Sequence, residues 1–283
     1  MNNIHIKHTD EVIGTDEEPV KAVKQKKNSS LVTATRMVKE GEADACISAG
    51  NTGAYMTAGL LMTGRIKGIE RPALTIILPT ASGRATVVLD VGANMDAKPE
   101  HLVQYAMMGS IYAEKILGYD RPSVGLLSVG TEESKGNELT KKAFPLIKAS
   151  KVNFIGNVEG RDVPYGVADV IVCDGFSGNV LLKVTEGVVG TIFDLLKKEF
   201  TSTFTSKMGA LLLKPGLKRF KKQMDYAEYG GAPLLGLKGI CIKAHGSSNA
   251  TAIKNAIGQA RKFVSLDVNE LIKKEVQIEE ETE

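Results

Sequence analysis

Val170-Ile171-Val172-Cys173 runs directly into Asp174-Gly175-Phe176-Ser177-Gly178-Asn179, and the apolar residues that follow keep helical spacing. A short apolar run, a turn of Gly, Asn, Ser, Thr or Asp, and then a helix is the pattern of a strand–loop–helix unit. The chain repeats it. Cys46-Ile47 leads into Ser48-Ala49-Gly50-Asn51-Thr52-Gly53, and Val87-Val88-Leu89 into Asp90-Val91-Gly92-Ala93-Asn94. Leu126-Leu127 leads into Ser128-Val129-Gly130-Thr131-Glu132, with Lys135-Gly136-Asn137 close behind, and Ile240-Cys241-Ile242 into His245-Gly246-Ser247-Ser248-Asn249. Alternation of this kind predicts an α/β protein, a mostly parallel sheet covered by helices on both faces. In such a sheet the turns leave the carboxyl ends of the strands and line one crevice. Their glycines let backbone N–H groups approach a ligand, and the helix N-termini behind them attract anions. The repeated turn therefore points to a site for an anionic substrate.

The chain has 283 residues, 43% hydrophobic and 24% charged, an ordinary globular balance that allows one compact α/β domain over residues 1–283. No run approaches the roughly 18 consecutive apolar residues of a membrane-spanning helix. Met1-Asn2-Asn3-Ile4-His5 carries no apolar core of a signal peptide. Cys46, Cys173 and Cys241 have no paired or metal-ligand spacing and sit in or beside strands, so they read as small buried hydrophobes in a reducing cytoplasm. A net charge of +3 is too small to imply nucleic acid.

Residues 1–28 are polar, with one candidate strand near Ile4 and Ile6. From Ser30, Leu31, Ala34, Thr35 and Val38 share a helical face, and Gly41 supplies a stop signal. Helices are expected near 53–63 and 99–117, the second with Pro99 in its first turn. A different element spans residues 184–224. Val188, Ile192, Leu195, Leu196, Phe200 and Phe204 form a helical stripe, and a turn near Thr205 precedes Leu211-Leu212-Leu213-Lys214-Pro215-Gly216. Between Thr205 and Met224 stand Lys207, Lys214, Lys218, Arg219, Lys221 and Lys222 and no acid. This reads as a projecting amphipathic hairpin with an apolar, basic tip. Such a tip lies in a bilayer interface near anionic headgroups, or packs on a second subunit while its lysines stay solvated. The acidic end, Glu275–Glu283, is expected to fray.

At these turns the sequence resembles the bacterial phosphate acyltransferases of phospholipid synthesis. The resemblance is carried by Ile47–Ala54, Leu89–Asn94, Val129–Glu132 with Lys135–Glu138, Cys173–Asn179 and Lys243–Ser248, and it covers nearly the whole chain. It implies that an acyl group moves from the thioester of acyl carrier protein to inorganic phosphate, giving an acyl phosphate, with no cofactor and no metal. It also implies a three-layer α/β/α sandwich similar to the isocitrate and isopropylmalate dehydrogenases and the phosphotransacetylases. A homodimer, peripheral association with the inner face of the membrane, and a downstream membrane glycerol-3-phosphate acyltransferase as a further partner come with it. Members usually begin with another strand, a glycine-rich loop and a helix; here the sequence starts beyond that unit, which would expose a sheet edge.

Phosphate attack on a thioester requires the anion to be held in line, the oxyanion to be stabilised and the thiolate to leave. Phosphate is itself the nucleophile, which fits the absence of a Gly-x-Ser-x-Gly elbow. Lys135, in a Gly-bounded turn, is the first choice for the cation; its plain alternative is a surface lysine. Asn179 either donates to an oxyanion or phosphate, or caps its helix. His245 either protonates the thiolate or is a hydrogen-bonded turn histidine. Carried over from the family, the motifs place Gly50, Asn51, Thr52, Thr131, Glu132, Asn137, Asp174, Ser177, Gly246, Ser247 and Ser248 around the substrate, with Asp90 and Asn94 orienting their neighbours. Leu211, Leu212, Leu213 and Lys214 are the candidate membrane contacts. Three rivals remain open: a decarboxylating dehydrogenase with Asp90 and Asp174 as metal ligands, a phosphotransacetylase-like enzyme using acyl-coenzyme A, and an inactive membrane-peripheral scaffold.

Overall fold

The computed structural model of the chain describes residues 3–223 and 230–280. Helices α1 (Pro19–Gln25) and α2 (Ser30–Lys39) precede strand β1 (Ala45–Ser48), α3 (Thr52–Met62), β2 (Ala73–Pro79) and β3 (Ala85–Leu89). Then come α4 (Pro99–Leu117), β4 (Ser123–Ser128), α5 (Glu138–Ala149), β5 (Asn153–Glu159) and β6 (Val170–Val172). Two long helices, α6 (Gly175–Phe200) and α7 (Phe204–Gln223), lead to β7 (Ala232–Leu235), β8 (Ile240–Lys243), α8 (Ala250–Leu266) and α9 (Val268–Glu280).

The polar turns of the sequence are largely helix caps. Asn51 Oδ1 accepts from Ala54 N at 2.9 Å, Asn137 Oδ1 from Thr140 N at 2.9 Å, Asp174 Oδ1 from Ser177 N at 2.9 Å, and Asn249 Oδ1 from Ala252 N at 2.9 Å. Each satisfies one of the backbone donors that a helix leaves unpaired at its start.

The strands form one eight-stranded sheet in the order β1-β8-β7-β2-β3-β6-β4-β5. Alternation along the strands fills two cores. Val87, Leu89, Val170 and Val172 face α4, α5, α8 and α9. Val88 and Ile171 face the other way, toward α1, α2 and α3, with Leu181 and Leu182 of α6 against the same core. This is the expected α/β/α sandwich.

The sheet is mixed, however. The β1–β8, β3–β6, β6–β4 and β4–β5 pairs are parallel, while β8–β7, β7–β2 and β2–β3 are antiparallel. Strands β1, β8 and β2 therefore run one way and the other five the opposite way. The carboxyl ends nonetheless meet, because the two halves are staggered. Leu89, the last residue of β3, lies opposite Thr75. Leu74 lies opposite Leu234, so Ala232, two residues back on an antiparallel strand, stands level with Ile76; Ala232 is in turn opposite Lys243, the last residue of β8. The ends of β3 and β8 thus fall one residue apart in level, three strand spacings or roughly 14 Å across the sheet.

Three expectations are corrected. Ile4 and Ile6 form no strand and are 75% and 93% exposed; among the described residues the edge strand β1 pairs only with β8. The acidic end does not fray at Glu275: α9 continues to Glu280 because Ile272 and Val276 are buried in the core, while residues 281–283 lie outside the described residues. The hairpin turn falls at 201–203 rather than near Thr205. All three cysteines are buried, Cys46 and Cys241 face to face across β1 and β8 with 3.5 Å between sulfurs.

The turns after β3 and β6 are locked to each other. Cys173 N donates to Leu89 O at 2.9 Å, Asp90 N to Cys173 O at 3.0 Å, and Gly175 N to Asn94 O at 2.8 Å. A Cβ at position 178 would lie well inside van der Waals contact with the Asp90 carbonyl oxygen, and one at 175 would lie 2.7 Å from the Asn94 oxygen. Both neighbours are backbone and cannot swing away. Gly178→Ala is expected to destabilise the protein by about 3 kcal/mol, read from the midpoint of urea unfolding; Gly187→Ala, where a Cβ meets nothing within 4 Å, is the stabilising control.

Candidate active site

The staggered carboxyl ends border a crevice of about 490 Å³ with mixed polar and apolar walls. Its walls are Leu74, Ile76 and Ile77 of β2, Val91 and Gly92 after β3, Asn179 and Leu182 of α6, Gly230 and Gly231 before β7, and Lys243 to Asn249 after β8, excepting Gly246, with Thr52 at the start of α3. The starts of α3 and α8 border it, and oriented N-terminal N–H groups favour an anion there.

Asp90 builds one wall without facing it. The residue is completely buried. Its Oδ1 accepts from Leu74 N at 3.0 Å, Gly92 N at 3.1 Å and Ala93 N at 2.9 Å; its Oδ2 accepts from Asn94 N at 2.6 Å and Asn94 Nδ2 at 3.1 Å. Burial pushes this carboxyl up to about 6, against the downward pull of those donors. Asn94 Nδ2 also reaches Pro72 O at 2.7 Å and Tyr105 Oη at 2.9 Å. Both side chains are held inward, away from the crevice. The loop they fix puts Gly92, at φ 136°, against Asn179, whose Cγ would lie 3.8 Å from a Cβ there.

Asn179 does not cap α6; Asp174 does, accepting from Ser177 N and, at 2.7 Å, from Ser177 Oγ. Among the described residues the Asn179 amide makes no hydrogen bond, and it lines the crevice. Across from it, His245 Nδ1 lies 2.7 Å from Ser247 Oγ and accepts from Ser247 N at 3.2 Å. A neutral imidazole accepting at Nδ1 carries its proton on Nε2, which is left free to donate. Ser247, Ser248 and Thr52 complete the polar lining.

Other expected residues stand apart. Gly50 and Gly246 flank the crevice without lining it. Asn51 is engaged as a cap and as a donor to Gly14 O and Thr15 O at 3.3 and 3.0 Å. Thr131, Glu132, Lys135 and Asn137 form the loop after β4, beside β6 but outside the crevice. There Lys135 N donates to Glu132 O, and the Lys135 side chain packs over Gly130. The carboxylates of Asp90 and Asp174 are taken up by backbone and hydroxyl donors, which leaves neither as the open metal ligand the dehydrogenase reading needs. Sequence reasoning passed over Lys243, a half-buried lysine in the crevice wall whose ammonium donates to Ala244 O and whose pKa is lowered by burial. It also passed over Lys183 and Glu186, 3.4 Å apart at the rim. The signal for Lys243 was its place two residues before His245.

A second cavity, about 720 Å³ and mainly apolar, adjoins the first and shares Leu182, Glu186 and His245 with it. It runs between Leu78 and Pro79 of β2, the 160–164 segment and the inner flank of α6.

A family model described as a fatty acid synthesis protein matches residues 1–271. The chain is 66% identical to the phosphate acyltransferase of Brevibacillus brevis over 275 residues, 97% of this chain and 82% of that protein. It is 60% identical to the phosphate acyltransferase of Bacillus licheniformis over 274 residues, 97% of this chain and 83% of that protein. The chain belongs to the phosphate acyltransferase family. It is accordingly an acyltransferase. In fold it is similar to a phosphotransacetylase from Streptococcus pyogenes, with a TM-score of 0.54 at 17% identity over 91% of this chain and 70% of that one. The same holds for a phosphotransacetylase from Staphylococcus aureus, with a TM-score of 0.53 at 14% identity over 84% of this chain and 67% of that one. At such identities these two show the fold alone.

In an acyltransferase of this family the crevice wall rests on Asp90. Asp90→Asn would turn one acceptor into an N–H group facing backbone donors. Relief of the buried charge offsets part of that loss, so the net cost is expected to be about 2 kcal/mol at pH 7.5, measured by urea unfolding.

Proposed function

We propose that the chain transfers a fatty acyl group from the thioester of acyl carrier protein to inorganic phosphate, releasing the carrier thiol and an acyl phosphate for phospholipid synthesis. What supports this most is the joining of an anion-attracting crevice to an apolar cavity, with His245 at the seam. Phosphate sits among the N-terminal turns of α3 and α8, beside the Lys243 ammonium and the hydroxyls of Thr52, Ser247 and Ser248. One of its oxygens attacks the thioester carbon. The carbonyl oxygen becomes an oxyanion facing the unpaired Asn179 amide, a contact worth roughly 2.7–4 kcal/mol in the transition state for a well-placed donor. As the tetrahedral adduct collapses, the C–S bond breaks, the departing sulfur accepts a hydrogen bond from His245 Nε2, and the proton shed by the attacking hydrogenphosphate ends on that sulfur as the free thiol. Lys135, on the neighbouring loop, is the alternative cation.

The same reading extends to the surface of the molecule. The protein works as a homodimer in the cytoplasm, peripherally bound to the inner face of the membrane, where a membrane glycerol-3-phosphate acyltransferase consumes its product. Among the described residues no helix is long and apolar enough to cross a membrane. Supporting a peripheral contact, α7 exposes Leu211, Leu212 and Leu213 at 61%, 81% and 55%, followed by Lys214. Supporting a dimer, Val184, Val188, Ile192 and Leu195 form an exposed apolar stripe on α6. The hairpin is held to the body through α6, with Phe193 and Phe220 in ring contact at 5.7 Å.

Free thiol released from palmitoyl-acyl carrier protein should depend on added phosphate; release that ignores phosphate, or none, overturns the reading. Palmitoyl-coenzyme A in place of the carrier substrate separates the phosphotransacetylase-like alternative. Asn179→Ala should lower kcat at least a hundredfold, and Lys243→Ala should raise the KM for phosphate at least tenfold. If Lys135→Ala raises that KM more than Lys243→Ala does, phosphate is held on the β4 side instead. Glutamates in place of Leu211 and Leu212 should abolish sedimentation with anionic liposomes, leaving the dimer intact by gel filtration.

A further inference from the structure

The reaction leaves open where the acyl chain lies, and the apolar cavity beside the crevice answers it. Its α6 wall is the flank formed by Leu181, Thr185, Val189 and Phe193, which recur every fourth residue and are each only partly exposed, with Val184, Val188 and Ile192 of the exposed stripe at its open side. The opposite wall is Leu78 of β2 and Val163, both buried at 5% and 2% exposure. At about 720 Å³ it falls within the ~300–1,000 Å³ typical of small-molecule sites. Its polar groups gather at the end shared with the crevice, where Glu186 and His245 stand. A ligand that fits must therefore be apolar along its length and polar at one end, with that end at His245.

Two glycines add an independent observation. Gly160 and Gly190 both line this cavity, and a Cβ at either would meet nothing within 4 Å. Neither has the positive φ that would make glycine a backbone requirement. Inside a helix glycine is less favourable than alanine, so Gly190 gives up helix stability without any packing within the chain to demand it. What the missing side chains leave is room.

We propose that this cavity holds the acyl chain of the donor thioester and measures its length, with the carbonyl at the His245 end and the terminal methyl toward Phe193. The inference rests on acyl transfer being the reaction. Each methylene withdrawn from water is worth about fourfold in affinity, so a cavity shortened by a few methylenes penalises long chains steeply and short ones little.

The test compares kcat/KM for palmitoyl- and octanoyl-acyl carrier protein in the wild-type protein, in Val189→Phe, which fills the cavity from α6, and in Gly160→Leu, which fills it from the other wall. Thermal melts select the variants that stay folded. The palmitoyl-to-octanoyl ratio should fall at least tenfold in both, whereas Asn179→Ala should lower both rates together and keep the ratio. An unchanged ratio in folded variants overturns the proposal. A second readout needs no turnover: cis-parinaric acid fluorescence should report binding to the wild type and at least tenfold weaker binding to both variants. Equal binding overturns the cavity assignment even if phosphate-dependent release is observed. Weakened binding without any phosphate-dependent release keeps the cavity and removes the reaction proposed for the crevice.

Discussion

The structure turns on one buried carboxylate. Asp90 gathers donors from Leu74 of β2, from its own loop and from Asn94, and its carbonyl is pressed against Gly178 at the start of α6. Strands β2 and β3, the loop between β3 and α4, and the long helix α6 are thereby fixed to one point. A buried ion accepting this many hydrogen bonds tolerates little displacement, because any donor pulled away leaves both partners unsatisfied in a region that water does not reach. The carboxylate does not line the crevice itself, but it holds the backbone of Leu74 and Gly92, which do, and the position of the Asn179 amide beside Gly92 follows from it. Removing the side chains at 175 and 178 is the steric condition for the same junction.

The second constraint is the stagger of a mixed sheet. An all-parallel sheet would bring every carboxyl end to one edge as a matter of course. Here β1 and β8 run against β3 and β6, and the ends meet only because β7 and β2 carry the offset between them. Gly231 is part of that offset: a Cβ there would lie 2.7 Å from Lys243 O and 2.5 Å from Ile242 Cγ2. The close approach it permits brings β7 against the end of β8 and half-buries Lys243 beside the crevice. A lysine ammonium in such a place loses hydration, which lowers its pKa and strengthens its attraction for an anion that replaces the lost water.

These two constraints explain what the sequence disclosed. The units themselves were legible, since an apolar run, a turn rich in Gly and Asn, and helical spacing are local signals; α3 and α4 lie where the spacing puts them, and Pro99 opens α4 as expected. Strand direction was not legible, because nothing local distinguishes a β2 running against β3 from one running beside it. Within the site, Asn51, Asn137 and Asp174 read as ligands yet act as caps: both duties ask for a short polar side chain at a helix N-terminus, so the sequence cannot separate them. Asn179 is the reverse case, offered equally as cap or donor, and the presence of Asp174 at the cap frees its amide. Lys135 attracted notice through its flanking glycine turn, while Lys243, though it heads the Lys243–Ser248 stretch, was given no role. Its burial depends on Gly231, twelve residues earlier, and on a pairing between strands that only the fold creates.

One helix links the parts of the molecule that the chemistry needs. Its 26 residues span about 39 Å at 1.5 Å per residue. Asn179 stands in its second turn, Leu182 and Glu186 where the crevice meets the apolar cavity, Val189 along that cavity, and Phe193 where α7 rests on it. Its anchored end is rigid, locked by Asp174, Gly178 and the Asp90 loop. Beyond Glu186 support thins: Gly187 and Gly190 weaken the intrinsic helix, and its apolar stripe is exposed. Precision is thus concentrated at the polar end, where a displacement of about 1 Å can cost catalysis a hundredfold. The apolar end needs only room and an oily surface, because hydrophobic burial is non-directional. A helix clamped at its chemical end and lightly held at its apolar end meets both demands in a single element.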